Sequence, residues 1–255
     1  MAGKRDPEAD AGETVLVWER PARGARGPAP ERSREQLTEA AIGLADAGGL
    51  AAVSVRQVAR ELGTGPASLY RYVAGRDDLV DLMVDAATGE IDLDVALTGD
   101  PMTDLVALAA RTQRVQLRHP WLLEVAPEAL RAGPRGLDYL EFALRALEPV
   151  EGLTGPAKLE AVGVLNALVA MVSGVELRAR RSPTGRQAAQ AAYLATAARR
   201  GAHPLLARAL STGAANGQAG GALPDGAGHA ADSGAHFERV VRRVLAGLLA
   251  PDPQG

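Results

Sequence analysis

The sequence predicts an all-α chain, with an N-terminal three-helix helix-turn-helix head followed by a C-terminal helical bundle. Three observations carry this expectation. Ala, Leu and Val dominate a chain that is 47% hydrophobic and only 3% aromatic, a balance that favours helix over sheet. Apolar residues recur three and four apart along most of its length. Ser, Gly and Pro stand where helices start and stop. A length of 255 residues allows one large or two modest domains with a sizeable core.

Residues 1–32 contain four prolines and no helical period, and read as a flexible arm. Within it Arg20, Arg23 and Arg26 come at three-residue intervals among Gly and Pro, as in an extended arm that follows phosphates or enters a minor groove. A solvated tail is the competing reading. Val15, Val17 and Trp18 are too apolar for tail alone and are expected to dock on the body or on a partner chain.

Ser33 followed by Gln36 is a capping-box pattern that opens the first helix. Leu37, Ala40, Ala41 and Leu44 give it an apolar face, and it closes at Gly48 and Gly49. Ser54 and Gln57 repeat the pattern for the second helix, with Val53 and Val58 placed as a hydrophobic staple. Val55, Val58, Ala59 and Leu62 form its buried stripe, and Gly63 supplies a left-handed stop. Thr64 and Gly65 complete a turn, and Pro66 begins the third helix.

In that third helix Leu69 and Val73 share one face and are expected to be buried. Ala67, Ser68, Tyr70, Arg71 and Tyr72 are then left on the outside. A helix this short is unstable alone, so one held against two others while presenting hydroxyls, a phenol and a guanidinium is offered to a partner. Double-stranded DNA fits. A helix enters the major groove, its first turn approaches base edges, and Arg and Tyr serve base and phosphate contacts. An αα-hairpin with solvated polar residues is the alternative. Arg56, beside this helix, reaches guanine or phosphate in the first reading and pairs with a surface carboxylate in the second. Gly75 is expected to end the recognition helix. Arg76 opens the fourth helix, where it can accompany the helix amides onto a phosphate, and Asp77 and Asp78 favour the helix dipole.

The run from Ser33 to about Ile91 resembles the N-terminal domain of TetR/AcrR-type transcriptional regulators. The resemblance rests on LADAGGLAAVSVRQVARELG (Leu44 to Gly63), PASLYRYVAGRDDLVDLM (Pro66 to Met83) and their spacing, about a quarter of the chain. It implies a DNA-binding domain over 33–80 and a helical ligand-binding and dimerisation domain over 81–255, linked by the fourth helix. It also implies that Tyr70 reaches a phosphate and that Leu69 is buried. Arg71 and Tyr72 stand where other members carry different aromatic or histidine residues, so base preference is not inherited.

Beyond Gly99 the pattern changes to Ala-rich apolar helices. These are expected over Met102 to Arg118, a short Trp121 to Val125 segment, Pro134 to Leu147, Pro156 to Arg181, Pro183 to Ala202 and His203 to Leu210. His119-Pro120 breaks the first of them. Ala161 to Val175 carries no charge at all, so that helix is expected to be covered on nearly every side, at the centre of the bundle or by a second chain. Residues 211–235, rich in Gly and Ala without a period, read as a flexible loop. His236 to Ala250 has a wide apolar face alternating with Arg239, Arg242 and Arg243. This last helix and Pro156 to Arg181 are expected to pair with their copies as a four-helix homodimer interface.

The net charge of −3 is unusual for a nucleic-acid binder, but binding responds to the local field rather than the total. Absence of cysteine excludes disulfides and thiolate metal sites and suits a reducing cytoplasm. No apolar run approaches the roughly 18 to 20 residues of a membrane span, and the N-terminus lacks the apolar core of a secretion signal, so a cytoplasmic location is expected. His119, His203, His229 and His236 show no metal-ligand spacing, no nucleophile motif is present, and no cofactor, metal site or catalysis is expected.

The sequence reading is therefore a homodimeric regulator, most simply a repressor of a palindromic operator released by a small hydrophobic effector. DNA contacts are expected from Arg56, Thr64, Gly65, Pro66, Ala67, Ser68, Tyr70, Arg71, Tyr72 and Arg76. Trp121, Tyr139, Phe142, Asn166 and Met171 are candidate pocket residues, each of which reads equally as core packing or a satisfied interface amide. An activator, a ligand-independent regulator and a helical protein-protein adaptor are the alternatives.

Overall fold

The computed structural model describes residues 15–19, 33–125, 132–180, 185–200, 202–215 and 230–250. Among them it is helical throughout, with ten α-helices and no strand. The arginines at 20, 23 and 26, His229, and positions 216–229 of the expected loop lie outside the described residues.

Each helix of the head begins where the sequence says. α1 (Arg34–Gly48) carries a complete capping box: Ser33 Oγ accepts from the Gln36 amide at 3.2 Å, and Gln36 Oε1 accepts from the Ser33 amide at 3.1 Å. α2 (Val55–Glu61) has half of one. Ser54 Oγ accepts from the Gln57 amide, but the Gln57 side chain turns to accept from Arg60 at 2.8 Å. Val53 and Val58, the staple pair, are both buried. α2 ends in a Schellman motif, with the Thr64 amide donating to Ala59 O and the Gly63 amide to Arg60 O. Gly63 adopts the φ of 64° that this motif requires.

α3 (Pro66–Leu69) is shorter than expected. It ends at Leu69, and Tyr70 to Tyr72 form a turn before α4 (Arg76–Thr88). Leu37, Ala41, Val58, Ala59, Leu69, Val73, Leu79 and Met83 are all essentially inaccessible and make the core of the head. Fully burying one leucine of that set stabilises by about 1.5–3 kcal/mol.

α5 (Pro101–Arg118) starts on Asp100, whose carboxylate accepts from the Thr103 amide. Pro120 stops it, and a 3-10 segment, Pro120–Glu124, follows. α6 (Pro134–Ala146) has no cap from its own sequence. Its cap comes from α4: Asp85 Oδ1 accepts from the Arg135 and Gly136 amides at 2.9 and 3.0 Å. Burial raises the Asp85 carboxyl above the usual range, and those two amide bonds oppose the rise. Gly133 makes this approach possible, because a Cβ there would stand 2.5 Å from Asp85 Oδ1 and 2.6 Å from the Trp18 ring. Trp18 thus sits on this junction and Val17 is fully buried, so these two of the three apolar arm residues dock on the body, while Val15 is exposed.

The chain divides into two compact units, Met1–Val162 and Gly163–Gly255. α7 (Gly155–Ala179) runs through the division. One sequence expectation about it needs correction. It is a helix long and apolar enough to cross a membrane by length and composition, although the sequence reading found no such run. Among the described residues of one chain it is covered on one side only, with Ala161, Val162, Leu165 and Val169 buried while Leu159, Val164 and Met171 are exposed, so of the two kinds of cover expected the centre of the bundle is not the one seen.

In the second unit α8 (Gly185–Arg199) packs on α9 (Pro204–Ala215), and α10 (Ala230–Leu248) buries Phe237, Val241 and Leu245 while exposing Arg239, Arg242 and Arg243. The expected loop over 211–235 is too long. Residues 211–215 and 230–235 are helical, because alanine favours helix without needing an apolar period.

Candidate nucleic-acid interface

The backbone of the turn and one buried side chain set the reading surface. The Schellman motif fixes the exit of α2, Pro66 presets the first φ of α3, and Leu69, wholly buried, anchors that single helical turn. Gly65, Pro66, Ala67, Tyr70 and Arg71 are then exposed, with Thr64 and Ser68 half-buried at the edge. Tyr70 keeps 55% of its surface accessible. Arg56, from the start of α2, is exposed as well.

The two hydroxyls form a relay. Ser68 Oγ donates its one proton to Gly65 O at 2.7 Å, which leaves Thr64 Oγ1 to donate to Ser68 Oγ at 2.9 Å. Both donors are spent within the turn, and the unused lone pairs make the pair an acceptor toward a base or a bridging water.

One of the expected contact residues is placed otherwise, and another, Arg76, is exposed but bonded within the head. Tyr72 is buried, 4% accessible, rather than outward. It stands three residues after Leu69, and its amide donates to Leu69 O, so the turn carries both side chains to the same side. The Arg71 guanidinium lies 5.0 Å from the Tyr72 ring centroid, and Tyr72 is therefore the platform on which the exposed cation rests. Arg76 is not a free cation at a helix N-terminus. Its Nε donates to Val53 O at 3.2 Å and its Nη2 to Leu50 O at 2.9 Å, so it ties the start of α4 to the loop between α1 and α2.

The expected pocket residues fall in different surroundings. Trp121 is buried and its indole N–H donates to Asp46 at 2.9 Å, which makes it a tie between elements. Tyr139 is buried. Phe142 is buried between the guanidinium groups of Arg111 and Arg145, at 5.4 and 5.8 Å, and lines an open groove of about 490 Å³ with Val95, Leu97, Ala107 and Arg111. Desolvation pulls the Arg111 guanidinium below its ordinary range. Asn166 is half-buried, and Met171 is exposed over 59% of its surface, which a pocket wall in a single chain would not be. Among the described residues no group of three His, Asp or Glu side chains is placed to hold a metal ion.

Sequence reasoning missed Asp85, which caps a helix 50 residues away, and His119, whose ring meets two carboxylates from distant segments. The only local signal for His119 was the proline after it.

A one-turn helix braced by two others, presented beside Arg56 and ahead of a linking helix, defines a helix-turn-helix DNA-binding regulator. The comparisons name the family: residues 37–83 match bacterial regulatory proteins of the tetR family, and residues 97–251 match the tetracyclin repressor-like C-terminal domain. The chain belongs to the TetR family of bacterial regulatory proteins and is a DNA-binding transcriptional regulator.

It is 37% identical over 201 residues to the HTH-type transcriptional repressor DrrR1 of Streptomyces coeruleorubidus, covering 78% of this chain and 72% of that one. It is 31% identical over 252 residues to an HTH-type transcriptional regulator of Saccharopolyspora erythraea, covering 98% of each. Among solved structures it resembles ActR of Streptomyces coelicolor in complex with actinorhodin, with a TM-score of 0.68 and 25% identity over 89% of this chain and 99% of that one.

Proposed function

We propose that the chain binds a palindromic operator as a homodimer, that Thr64, Ser68, Tyr70 and Arg71 make the major-groove contacts with Arg56 assisting, and that a small lipophilic effector releases it. The observation that carries the reading is the division of α3 and its following turn. Leu69, Tyr72 and Val73 hold it to the core, and Ala67, Tyr70 and Arg71 stand outward. Tyr70 suits a phosphate, and Arg71, stacked and exposed, suits a base edge. Gly65, Pro66 and Ala67 contribute close backbone approach. Arg20, Arg23 and Arg26 keep their sequence reading as an arm toward phosphates or the minor groove.

Exposed apolar side chains support dimerisation. Leu159, Val164 and Met171 on α7 are exposed among the described residues, and pairing α7 and α10 with their copies would cover them. On this reading residues 33–80 are the DNA-binding domain and 81–255 the effector and dimerisation domain, and the protein works in the cytoplasm. ActR was crystallised in complex with actinorhodin, a precedent for a bound small molecule, and a lipophilic one suits the apolar body proposed here. Effector control follows if the bound molecule prefers a head spacing other than the operator's.

The test is a gel shift of the DNA upstream of the chain's own gene, with a salt series and with actinorhodin as the first probe. Retarded complexes that weaken steeply with salt, and more so with probe, are the expected result. Failure to shift any flanking fragment at low salt would favour a protein-binding adaptor.

A further inference from the structure

We infer that His119 is a positioning residue, the pin of a polar clasp that holds the reading head at a fixed angle to the helices behind it. The argument begins with Pro120. It cannot continue α5, and it pushes the residue before it out of the helical region. His119 accordingly sits at φ −119° and ψ 75°, and its ring is buried.

Both ring nitrogens meet carboxylates. Nδ1 lies 2.8 Å from Asp46 Oδ1, and Nε2 lies 3.1 and 3.2 Å from the two oxygens of Glu90. Asp46 belongs to α1, in the head, and Glu90 follows the C-terminal end of α4. One imidazole therefore joins three segments of the first unit that are far apart in sequence.

Neighbouring bonds make the joint directional. The Trp121 indole donates to the same Asp46 oxygen, and Glu124 accepts from the Leu50 amide at 3.1 Å, just past the end of α1. At the other end of α4, Arg76 is bonded to the carbonyls of Leu50 and Val53. Both ends of α4 are thus tied to one corner of the head. Apolar contacts between α1 and α4 would let one helix slide on the other, since hydrophobic attraction has no direction. The clasp does have direction, and α4 cannot rock against α1 without parting these bonds.

The clasp is also built to open. The Asp46 and Glu90 side chains keep 36% and 33% of their surface accessible, so water can replace the bonds they lose. A body that changes the angle of α4 must break this cluster, and a body that leaves it closed leaves the head in place. Its consequence for operator release rests on the repressor reading. The angle itself does not, and the test needs neither operator nor effector.

The chain has no cysteine, so labels can be placed singly. Glu61→Cys in the head and Glu141→Cys on α6 are both at exposed positions of the first unit. Nitroxide labels at the two, in full-length chain diluted with unlabelled chain, report the head-to-body distance by pulsed electron resonance. The parent should give one narrow distance. His119→Gln, which cannot span both carboxylates, should broaden it or add a second distance while the helical circular dichroism is kept. If that variant does not fold, Glu90→Ala removes one arm of the clasp from its accessible side and should broaden the distance in the same way. A narrow, unshifted distance in a folded variant overturns the inference. Failure of both variants to fold would make the cluster part of the core and overturn it equally.

Discussion

Asp85→Ala and Asp85→Asn separate two effects of one buried carboxylate. Its Oδ1 accepts from two backbone amides in the first turn of α6, a helix with no cap of its own. Truncation to alanine leaves both without that acceptor, at about 1–3 kcal/mol for each that water does not reach. Against this, alanine removes a charge that burial disfavours. A net loss of about 2–4 kcal/mol is expected, and at 2–4 °C per kcal/mol for a chain of this size the melting temperature should fall by about 4–16 °C.

Asparagine keeps an acceptor oxygen and loses the charge. The folded-state pKa of Asp85 is raised, chiefly by desolvation. A raised carboxyl contributes stability that is present below its unfolded value of about 3.9 and is lost as pH rises through the folded value. The parent therefore carries a growing cost from about pH 4 toward neutrality that the Asn variant does not. Melting curves across that range should show the Asn variant close to the parent in acid and at least as stable near neutrality. If asparagine is as damaging as alanine at every pH, or its relative stability grows toward acid, the account of Asp85 as a charged cap held against desolvation is wrong.

Arg71→Ala should weaken operator binding by about 1–3 kcal/mol and relax sequence preference if the guanidinium reads a base; in competition assays, uniform weakening over all sequences would make it a phosphate contact instead. Tyr72→Ala should destabilise the head by about 3–5 kcal/mol, the range for deleting a buried ring, and denaturant titration should show that loss in protein without DNA. Gly63→Ala meets no atom within 4 Å, so its cost is the left-handed backbone alone, about 1–2 kcal/mol by thermal melting.

How much was legible can be read from where each signal lives. The caps at Ser33 and Ser54, the stop at Gly63 and the start at Pro66 involve partners no more than five residues away, and the structure reproduces them. The same locality explains the misses. Tyr72 reads as outward on its polar hydroxyl, yet it stands three residues after Leu69 and follows it into the core. Residues 230–235 are helical where the sequence reads as loop, because an alanine-rich helix leaves no apolar stripe to detect.

By itself the sequence determined the all-α class, the helix-turn-helix with its exposed Tyr70 and Arg71, and the family, since caps, turns and apolar periods are written within one or two helical turns. Tertiary structure alone decided that Arg76 ties α4 to the first loop, that Asp85 caps α6 beneath Trp18, and that His119 joins Asp46 to Glu90. Those hydrogen-bonded pairings span 23 to 73 residues, and the residues at each end carry no mark of the other until the helices between them have packed.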